Sequence, residues 1–286
     1  MKADQYTTLV DSSIRRKVVE GTIPIIVRIP FKAEDKYTLY NASRNEYLPI
    51  LLQSSIQDFL ADVEQQPTAL AFFINDQPIK WCWPIGVIFD ALHNGSLPME
   101  ITLGVNVNDV KFQPYENEES IKNFHIQQLK ESVYLRFKTI QPIRKLEVGL
   151  IPPLWEAHAQ TKLEDYEKVY NPLVITDEDW DCVPIHWYFG NGRRYTDAIL
   201  TLTEGKLTTV GDGVKIFFNE REIDQQQEKL VVLKDGKIEE NKFVVIIQGV
   251  TVPLDTPLLW LALNMSGSDM FLHIVVRPAD DLLITI

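Results

Sequence analysis

The chain has few cysteines, a shortage of basic charge and no long apolar run. Only two of its 286 residues are cysteine, which excludes a disulfide framework and favours a reducing compartment. Lys and Arg total 28 against 40 Asp and Glu, and the net charge of -12 disfavours nucleic acid as a partner. No apolar run approaches the roughly 18 residues that span a bilayer, and residues 1–20 lack the apolar core of a signal peptide. These absences predict a soluble, cytoplasmic protein.

Motifs of common catalytic sites are also missing. The sequence contains no Gly-rich phosphate loop and no G-x-S-x-G elbow. Its histidines show no i, i+4 pair and no neighbouring Cys pair, so we expect no metal and no cofactor; they are His93, His125, His158, His186 and His273. Cys82 precedes a predicted helix, whose N-terminus could stabilise a thiolate. A cysteine-dependent transferase or hydrolase therefore stays open beside a packed structural thiol.

The sequence carries a repeat at an offset of 173 residues. Residues 69–105 align without a gap on residues 242–278, and the apolar positions coincide although few residues are identical. Both copies begin with a short β-branched or aromatic run that predicts a buried strand. A helix follows, because Pro84 and Pro257 suit a first helical position and apolar residues recur at helical spacing behind them. Each copy closes with a Gly- or Ser-containing loop and a last strand.

A similar opening precedes each copy. Residues 22–29 and 182–189 predict a first strand, and an extended run and a helical stretch follow in both halves. The extended runs are residues 36–40 with 47–52 in one half and residues 194–202 in the other; the second helical stretch contains Leu207, Val210, Val214 and Phe217. The order strand, strand, helix, strand, short helix, strand is that of ubiquitin. We predict an α+β protein with two ubiquitin-like (β-grasp) domains; one large α+β domain is the alternative.

The remaining segments predict helices. The predicted divisions are an N-terminal helix in 1–20, a first ubiquitin-like domain in 21–108, a helix-rich domain in 109–178 and a second ubiquitin-like domain in 179–286. Apolar stripes predict helices over residues 119–138 and 154–170, the second with Trp155, Ala159, Tyr166 and Tyr170 at spacings near four, and prolines such as Pro172 punctuate the region. The N-terminal helix is expected over residues 6–19.

Two clusters are candidates for partner binding. Trp81 and Trp83 exceed what a small core needs, so we expect them either in the core or in a seam against the middle helices or a partner. Arg15 and Arg16, with Lys17, form the best local basic patch for a partner or for peripheral contact with an anionic membrane, at roughly 1 kcal/mol per charge. A solvated helix cap is the alternative for this patch.

Two blocks of the sequence resemble the autophagy protein 5 family. They are DQPIKWCWPIGVIFDAL, residues 76–92, and the segment from Val252 to Pro278 with PLDTPLLWL and FLHIVVRP. The resemblance implies a non-catalytic scaffold joined by a lysine isopeptide bond to the ubiquitin-like autophagy protein 12. It also implies binding of the N-terminal helix of the coiled-coil autophagy protein 16. The assembled conjugate would then act like an E3, with the E2-like enzyme that lipidates autophagy protein 8 with phosphatidylethanolamine, at the phagophore assembly site membrane.

The resemblance implies an acceptor lysine in the first middle helix. The family's pattern, an apolar residue before the lysine and Glu after it, falls on Leu129, Lys130 and Glu131. Lys130 lies at the edge of the apolar stripe, where partial desolvation would favour the neutral amine; Lys122 and Lys138 compete on the same helix, and a solvated lysine is the alternative interpretation. The alternative function is a non-covalent ubiquitin-like adaptor in membrane trafficking.

Overall fold

The structure is a computed structural model. It describes residues 8–31, 34–63, 70–93, 95–105, 117–145, 155, 163–174, 180–221, 233–234, 237–239 and 242–282. The chain order of the major elements is the predicted one.

The first half forms a five-stranded mixed sheet with helices packed on one face. Its strands are β1 (Thr22–Ile29), β2 (Lys36–Ser43), β3 (Leu70–Ile74), β4 (Gln77–Ile79) and β5 (Met99–Val105). Its helices are α2 (Leu48–Leu51), α3 (Gln53–Val63) and α4 (Ile85–Leu92). The strand order is β2-β1-β5-β3-β4, and only β1 and β5 are parallel.

The second half repeats this topology. Its sheet consists of β6 (Cys182–Phe189), β7 (Arg194–Leu200), β12 (Phe243–Ile247), β13 (Val250–Thr251) and β14 (Leu272–Pro278). The order is β13-β12-β14-β6-β7, with β6 and β14 parallel. Helices α8 (Val210–Glu220) and α9 (Leu258–Met265) and two short hairpins, β8 (Leu202–Thr203) with β9 (Lys206–Leu207) and β10 (Leu233–Lys234) with β11 (Lys237–Ile238), complete this half. Two separate sheets of the same topology exclude the alternative of one large α+β domain.

The offset of 173 residues also holds in the backbone turns. Asn75 and Asp76 join β3 to β4 with positive φ angles, and Gln248 and Gly249 do the same between β12 and β13. Two consecutive positive φ values make the tight hairpin turn whose twist suits antiparallel strands. The repeat therefore extends to turn geometry that the apolar pattern alone does not predict.

Two predicted stretches differ in the type of element. Residues 47–52 were expected to extend the second strand, but Leu48–Leu51 form α2, because Pro49 suits a first helical turn and Leu48 is buried there. Leu207 was expected in a helix but lies in β9. Helix α8 begins only after Thr209, whose side chain forms a capping box with Asp212.

The middle of the chain contributes α5 (Glu118–Phe137), α6 (Gln141–Lys145) and α7 (Leu163–Val174). The prediction of a helix over 154–170 is correct in type but not in bounds: Trp155 is helical, Ala159 lies outside the described residues, and α7 continues through Pro172. Pro172 lies two residues before the helix end, so the chain keeps a helical turn there in spite of the missing N–H.

The N-terminal helix is shorter than expected. Helix α1 spans Ser12–Glu20 because Asp11 caps it, accepting hydrogen bonds from the backbone N–H groups of Ser13 at 2.9 Å and Ile14 at 3.2 Å. Residues 6 and 7 of the expected helix lie outside the described residues. Asn264 on α9 binds the residues that precede α1: its side chain accepts from the Asp11 N–H at 2.7 Å and donates to the Leu9 carbonyl at 2.9 Å.

The second sheet is covered on both faces. Every residue of β6 is buried, whereas β1 alternates between buried and more exposed residues. Odd-numbered residues of β6 such as Trp187 pack into the core under α8 and α9, and Tyr188 packs into the core of the first half. Helices α4 and α5 cover this second face, so the two halves and the middle helices meet on one sheet.

Candidate functional sites: an acceptor helix, an apolar groove and a buried junction

Lys130 lies in the middle of α5, at the edge of its buried face. The neighbouring Leu129 and Val133 are buried, Gln127 is exposed, and Lys130 itself is half-buried. A side chain in this position lays its aliphatic stem along apolar surface and presents its ammonium at the rim. The predicted location at the edge of the apolar stripe is therefore where the structure places Lys130.

The helical neighbours of Lys130 are uncharged. The positions three and four residues before it are Gln127 and Ile126, and those three and four residues after it are Val133 and Tyr134. The adjacent Glu131 accepts a hydrogen bond from the Gln128 amide at 2.9 Å. Because i, i+1 neighbours do not face each other on a helix, Glu131 is poorly placed to pair with Lys130.

The competing lysines have different surroundings. Lys122 follows Glu118 and Glu119 by one turn, in the order that favours a helical ion pair. Lys138 was expected to be the last residue of the helix, but it is the C-cap, with a φ of 56°. Its Nζ donates to the Leu135 carbonyl at 3.3 Å and to Cys182 Sγ at 3.8 Å.

Trp81 and Trp83 form a seam between the modules. Their side chains are only 2% and 1% exposed. The Trp81 ring meets Phe124 of α5 edge-on with centroids 5.9 Å apart, and Trp83 meets Tyr188 of β6 in the same way at 4.9 Å. The expected seam against the middle helices is thus present and also reaches the second half, and neither ring is exposed to an external partner.

Cys82 lies between these rings and is partly buried. Burial raises the pKa of the Cys82 thiol, although Arg194 and Lys80 place positive charge nearby. A thiol with a raised pKa is a poor nucleophile at neutral pH. The environment therefore opposes the activated thiolate that a cysteine-dependent enzyme would need and favours the packed structural thiol.

The basic cluster of α1 is largely engaged within the chain. Arg15 is 5% exposed, and its guanidinium contacts Glu167 and Asn171 of α7, both at 2.9 Å. Arg16 is exposed and bridges Glu164 at 2.6 Å and Glu20 at 2.9 Å. These two guanidinium groups join α1 to α7, and Arg15 is buried in that contact while Arg16 keeps an exposed side chain. Contact of this cluster with a partner or a membrane stays a prediction.

An apolar groove of about 460 Å³ runs between α1 and the second half. The lining comprises Ile14, Lys17 and Val18 from α1, its C-cap Gly21, Arg44 from the first half, and Gln248, Val250, Thr251, Val252, Pro253, Thr256, Trp260, Leu261 and Met265 from the second. Val250 is 55% exposed at its rim. Sequence reasoning did not find the groove, because its walls lie more than 200 residues apart in the chain.

A buried ion pair closes one end of this region. Asp90 of α4 accepts from the Arg44 guanidinium at 2.5 Å and from the Gly249 N–H at 2.9 Å. A Cβ at position 249 would lie 3.0 Å from the guanidinium, and the φ there is +79°, so both the turn and the close approach require glycine. Arg277 adds hydrogen bonds to the carbonyls of His93 at 2.7 Å and Asp90 at 3.3 Å.

Three histidines lie in the buried junction where α5 crosses β6 and β14. His186 contacts Gln128 and Thr196, both at 3.0 Å, and burial, with His273 and Arg194 nearby, lowers its pKa well below the usual value. His125 contacts Tyr47 at 3.3 Å and Tyr170 at 3.5 Å. Each ring thus has partners on a neighbouring module, as expected of structural histidines.

The third histidine of the junction is paired with a carboxylate. His273 contacts Asp269 at 3.0 Å and Tyr188 at 2.9 Å. Burial opposes the ionisation of Asp269, but the charge of His273 and its hydrogen bond outweigh this effect, so the pKa of Asp269 lies far below its usual range. His158 falls outside the described residues, within which no group of three metal-ligating side chains occurs.

A fully buried arginine completes the junction. Arg136 of α5 is 0% exposed; its guanidinium donates to the Met270 carbonyl at 2.8 Å and lies 4.2 Å from the Trp180 ring centroid. Beside it, Ser132 donates to the Asp269 carbonyl at 2.9 Å. The middle helix is therefore bound to the second half by polar contacts that its apolar stripe does not indicate.

None of the helices in the described ranges is long and apolar enough to cross a membrane.

The sequence matches three family descriptions in chain order. Residues 18–105 match the UblA domain of autophagy protein ATG5, residues 118–176 its alpha-helical bundle region, and residues 182–276 its UblB domain. The matched segments follow the order of the two sheets and the middle helices.

Whole-chain relatives and a solved structure agree with this result. Autophagy protein 5 of Scheffersomyces stipitis is 22% identical over 93% of this chain and 96% of its own length, and that of Drosophila melanogaster is 23% identical over 94% and 98%. The crystal structure of Kluyveromyces marxianus Atg5 superposes with a TM-score of 0.70 at 17% identity, covering 93% of this chain and 99% of that one. The fold is that of two ubiquitin-like domains flanking a helical bundle region, as predicted.

Proposed function

This chain belongs to the autophagy protein 5 family, and on that premise we propose that it is a non-catalytic scaffold modified on Lys130. Lys130 forms an isopeptide bond with the C-terminal glycine of the ubiquitin-like autophagy protein 12. The conjugate binds the N-terminal helix of the coiled-coil autophagy protein 16. It then acts like an E3 with the E2-like enzyme that joins autophagy protein 8 to phosphatidylethanolamine, in peripheral contact with the phagophore assembly site membrane.

The surroundings of Lys130 carry the acceptor assignment. An acceptor amine must lose its proton before it attacks a carbonyl carbon, and a nearby carboxylate would hold the ammonium form. Among the three lysines on or at the end of α5, Lys130 has uncharged neighbours one turn away in both directions, whereas Lys122 follows Glu118 and Glu119. A helix in the middle of a packed domain also holds the amine at a fixed position, which favours attack.

The groove beside α1 supports the proposal that the partner binds as a helix. An amphipathic helix buries its apolar side chains in such a trough, with anchors at i, i+3, i+4 and i+7. The groove offers Trp260, Val250 and Met265 as apolar contacts and Lys17 at its edge. Its walls come from α1 and the second ubiquitin-like domain, so we propose that 1–20 and 179–286, the predicted first and last divisions, bind the partner together.

A reconstituted conjugation reaction tests the acceptor. We expect Lys130→Arg to abolish the adduct with autophagy protein 12, while Lys122→Arg and Lys138→Arg, the matched controls on and at the end of the same helix, retain it. An adduct that persists in Lys130→Arg and disappears in either control would move the acceptor to that lysine.

The groove also favours a second candidate function. A purely non-covalent adaptor would use the same apolar trough to bind a helix and would need no acceptor lysine. The two functions separate in cells: if the Lys130→Arg variant restores autophagic flux in cells that lack the protein, the adaptor is correct and the conjugation scaffold is wrong.

A further inference from the structure

One face of the first ubiquitin-like sheet carries exposed apolar side chains. Helices α3 and α4 pack on the face that carries Ile25 and Val27, and the alternate residues of each strand form the opposite face, which we call the outer face. Its larger apolar residues are Ile26 on β1, Tyr37 and Leu39 on β2, and Phe73 on β3. Tyr37 is 64% and Leu39 is 68% exposed, the highest values among the large apolar side chains of the described residues.

The repeat gives each position of the outer face a counterpart on the second sheet. Ile26 pairs with Glu100 in the parallel ladder of β1 and β5. His186 pairs with His273 in the parallel ladder of β6 and β14. Glu100 and His273 differ by the repeat offset of 173, so Ile26 corresponds to His186. The same register gives two further correspondences, which are Tyr37 with Arg194 and Leu39 with Thr196.

Helix α5 lies on these positions of the second sheet. His186 contacts the Gln128 side-chain oxygen at 3.0 Å, and Arg194 donates to the same oxygen at 3.3 Å. The Arg194 guanidinium also lies 5.9 Å from the ring centroid of Phe124, one turn earlier on α5. With this face covered, every residue of β6 is buried, whereas Ile26 on β1 is only half-buried. The same face is therefore closed by a helix in one copy of the fold and open in the other.

We propose that the outer face of the first ubiquitin-like domain binds an amphipathic helix of a partner protein, with Lys or Arg beside the apolar stripe of that helix. The proposal depends on neither Lys130 nor the groove beside α1, because the apolar residues of the outer face do not line that groove. Neighbouring strands lie about 4.8 Å apart, so a helix about 10 Å wide covers β2, β1 and β5 together. Its apolar stripe contacts Tyr37, Leu39 and Ile26.

The charges around the outer face specify a basic partner. Among the described residues of this face Arg28 is the cation, and Asp35 accepts from its guanidinium at 2.7 Å. The hydrogen bond and charge of Asp35, with a smaller contribution from Asp76, raise the pKa of Arg28. Glu100 is exposed on β5, and Glu34 is exposed beside Asp35. One cation and four carboxylates leave a net charge of -3 around this face.

The described lysines of the first domain lie elsewhere. Lys36 belongs to the helix-covered face, where its Nζ lies 3.8 Å from Asp58 of α3. The Lys80 ammonium lies over the Trp83 ring in the seam, 5.4 Å from the ring centroid. A helix with Lys or Arg beside its apolar stripe is therefore attracted to the outer face, and an acidic helix is repelled.

Binding of designed peptides to the full chain tests the inference. The probe is a fluorescein-labelled helical peptide of about 18 residues, built from leucine and lysine with leucine at positions i, i+3, i+4 and i+7. One control peptide has the same composition in an order without an apolar stripe, and another has glutamate in place of lysine. Anisotropy titrations are expected to give an affinity for the amphipathic lysine peptide about tenfold higher than for either control.

Two double variants locate the bound peptide. Tyr37→Ala combined with Leu39→Ser is expected to lower the affinity for the lysine peptide about tenfold, because it removes the two exposed apolar contacts. Leu200→Ser combined with Leu202→Ser, a matched pair of exposed apolar residues on the second domain, leaves the affinity within about twofold. Hydrogen exchange should show that the bound peptide protects residues 22–43 of the wild type but not of the first variant. Circular dichroism verifies the fold of both variants.

The other outcomes overturn the inference. Equal affinities for the amphipathic and reordered lysine peptides would show attraction by charge alone, and equal affinities for the lysine and glutamate peptides would contradict a basic partner. Loss of binding in Val250→Ser but not in the variant of Tyr37 and Leu39 would place the peptide in the groove beside α1. Dimers in sedimentation experiments that disappear in the variant of Tyr37 and Leu39 would identify a second copy of the chain as the occupant.

Discussion

The rings of Trp83 and Tyr188 meet edge to face across the boundary between the two ubiquitin-like domains, 4.9 Å apart at an interplanar angle of 78°. Both side chains are almost fully buried, at 1% and 0% exposure. The contact joins the repeat copy of the first half to the first strand of the second. The contact thereby joins the two ubiquitin-like domains, and the helix that carries Lys130 packs on the sheet of the second one.

Removing this contact should destabilise the whole protein. We expect Trp83→Ala to lower the free energy of unfolding by about 3–5 kcal/mol, because it leaves a large cavity between domains. A double-mutant cycle with Tyr188→Ala should return a coupling of about 0.5–1.5 kcal/mol. Urea titration measures both, and Tyr37→Ala, at a side chain 64% exposed, is the control with a change within about 0.5 kcal/mol.

The Arg44–Asp90 pair should matter far more than a surface pair. Asp90→Ala leaves the guanidinium buried beside Gly249, and we expect a loss of about 3–5 kcal/mol in the free energy of unfolding. Asp58→Ala removes the exposed partner of Lys36, 3.8 Å away, and should cost less than about 1 kcal/mol. Equal losses in the two variants would contradict a structural role for the buried pair.

Stability should fall as the pH drops below about 6.5. Burial lowers the pKa of His186, so the unfolded chain binds a proton there at a higher pH than the folded chain does. The free energy of unfolding therefore changes with pH by at most about 1.4 kcal/mol per pH unit from this group. Below about pH 3.8 Asp269, whose pKa is also lowered, adds a second loss in the same direction. Urea unfolding between pH 5 and 8 should show a smaller slope for His186→Gln; an unchanged slope would assign the effect to other groups.

Binding of a partner helix should depend on the rim of the groove. We expect Val250→Glu to weaken the affinity for a fluorescent peptide of the autophagy protein 16 N-terminal helix by tenfold or more, because a carboxylate would enter the apolar groove. Anisotropy titrations measure this affinity. Leu200→Glu, at another exposed apolar side chain outside the groove, provides the control. Equal affinities for the two variants would place the helix elsewhere on the scaffold.

The repeat could be predicted because it depends on local patterns. Pro84 and Pro257 precede short apolar helices in both copies, and the strands Leu70–Ile74 and Phe243–Ile247 have the predicted bounds. In both copies the proline is the N-cap and not the first helical residue, one position earlier than expected.

The relations between modules could not be predicted in this way. Arg15 reads as a solvated cation by composition, and only the packing of α1 on α7 places Glu167 2.9 Å from it. No pattern in the sequence predicts the burial of Arg136 either, yet it is fully buried against Trp180. The domain divisions and the acceptor lysine stay predictions, because contacts within one chain do not reveal where a second protein attaches.

The most direct test is tryptic mass spectrometry of the protein purified from its own cells, searching for a branched peptide at Lys130. The proposed function predicts a C-terminal glycine of autophagy protein 12 in isopeptide linkage with Lys130 Nζ. A peptide that contains unmodified Lys130 beside a modified Lys122 or Lys138 would contradict the assignment of the acceptor, and the absence of any modified lysine from the complete peptide map would contradict the conjugation scaffold itself.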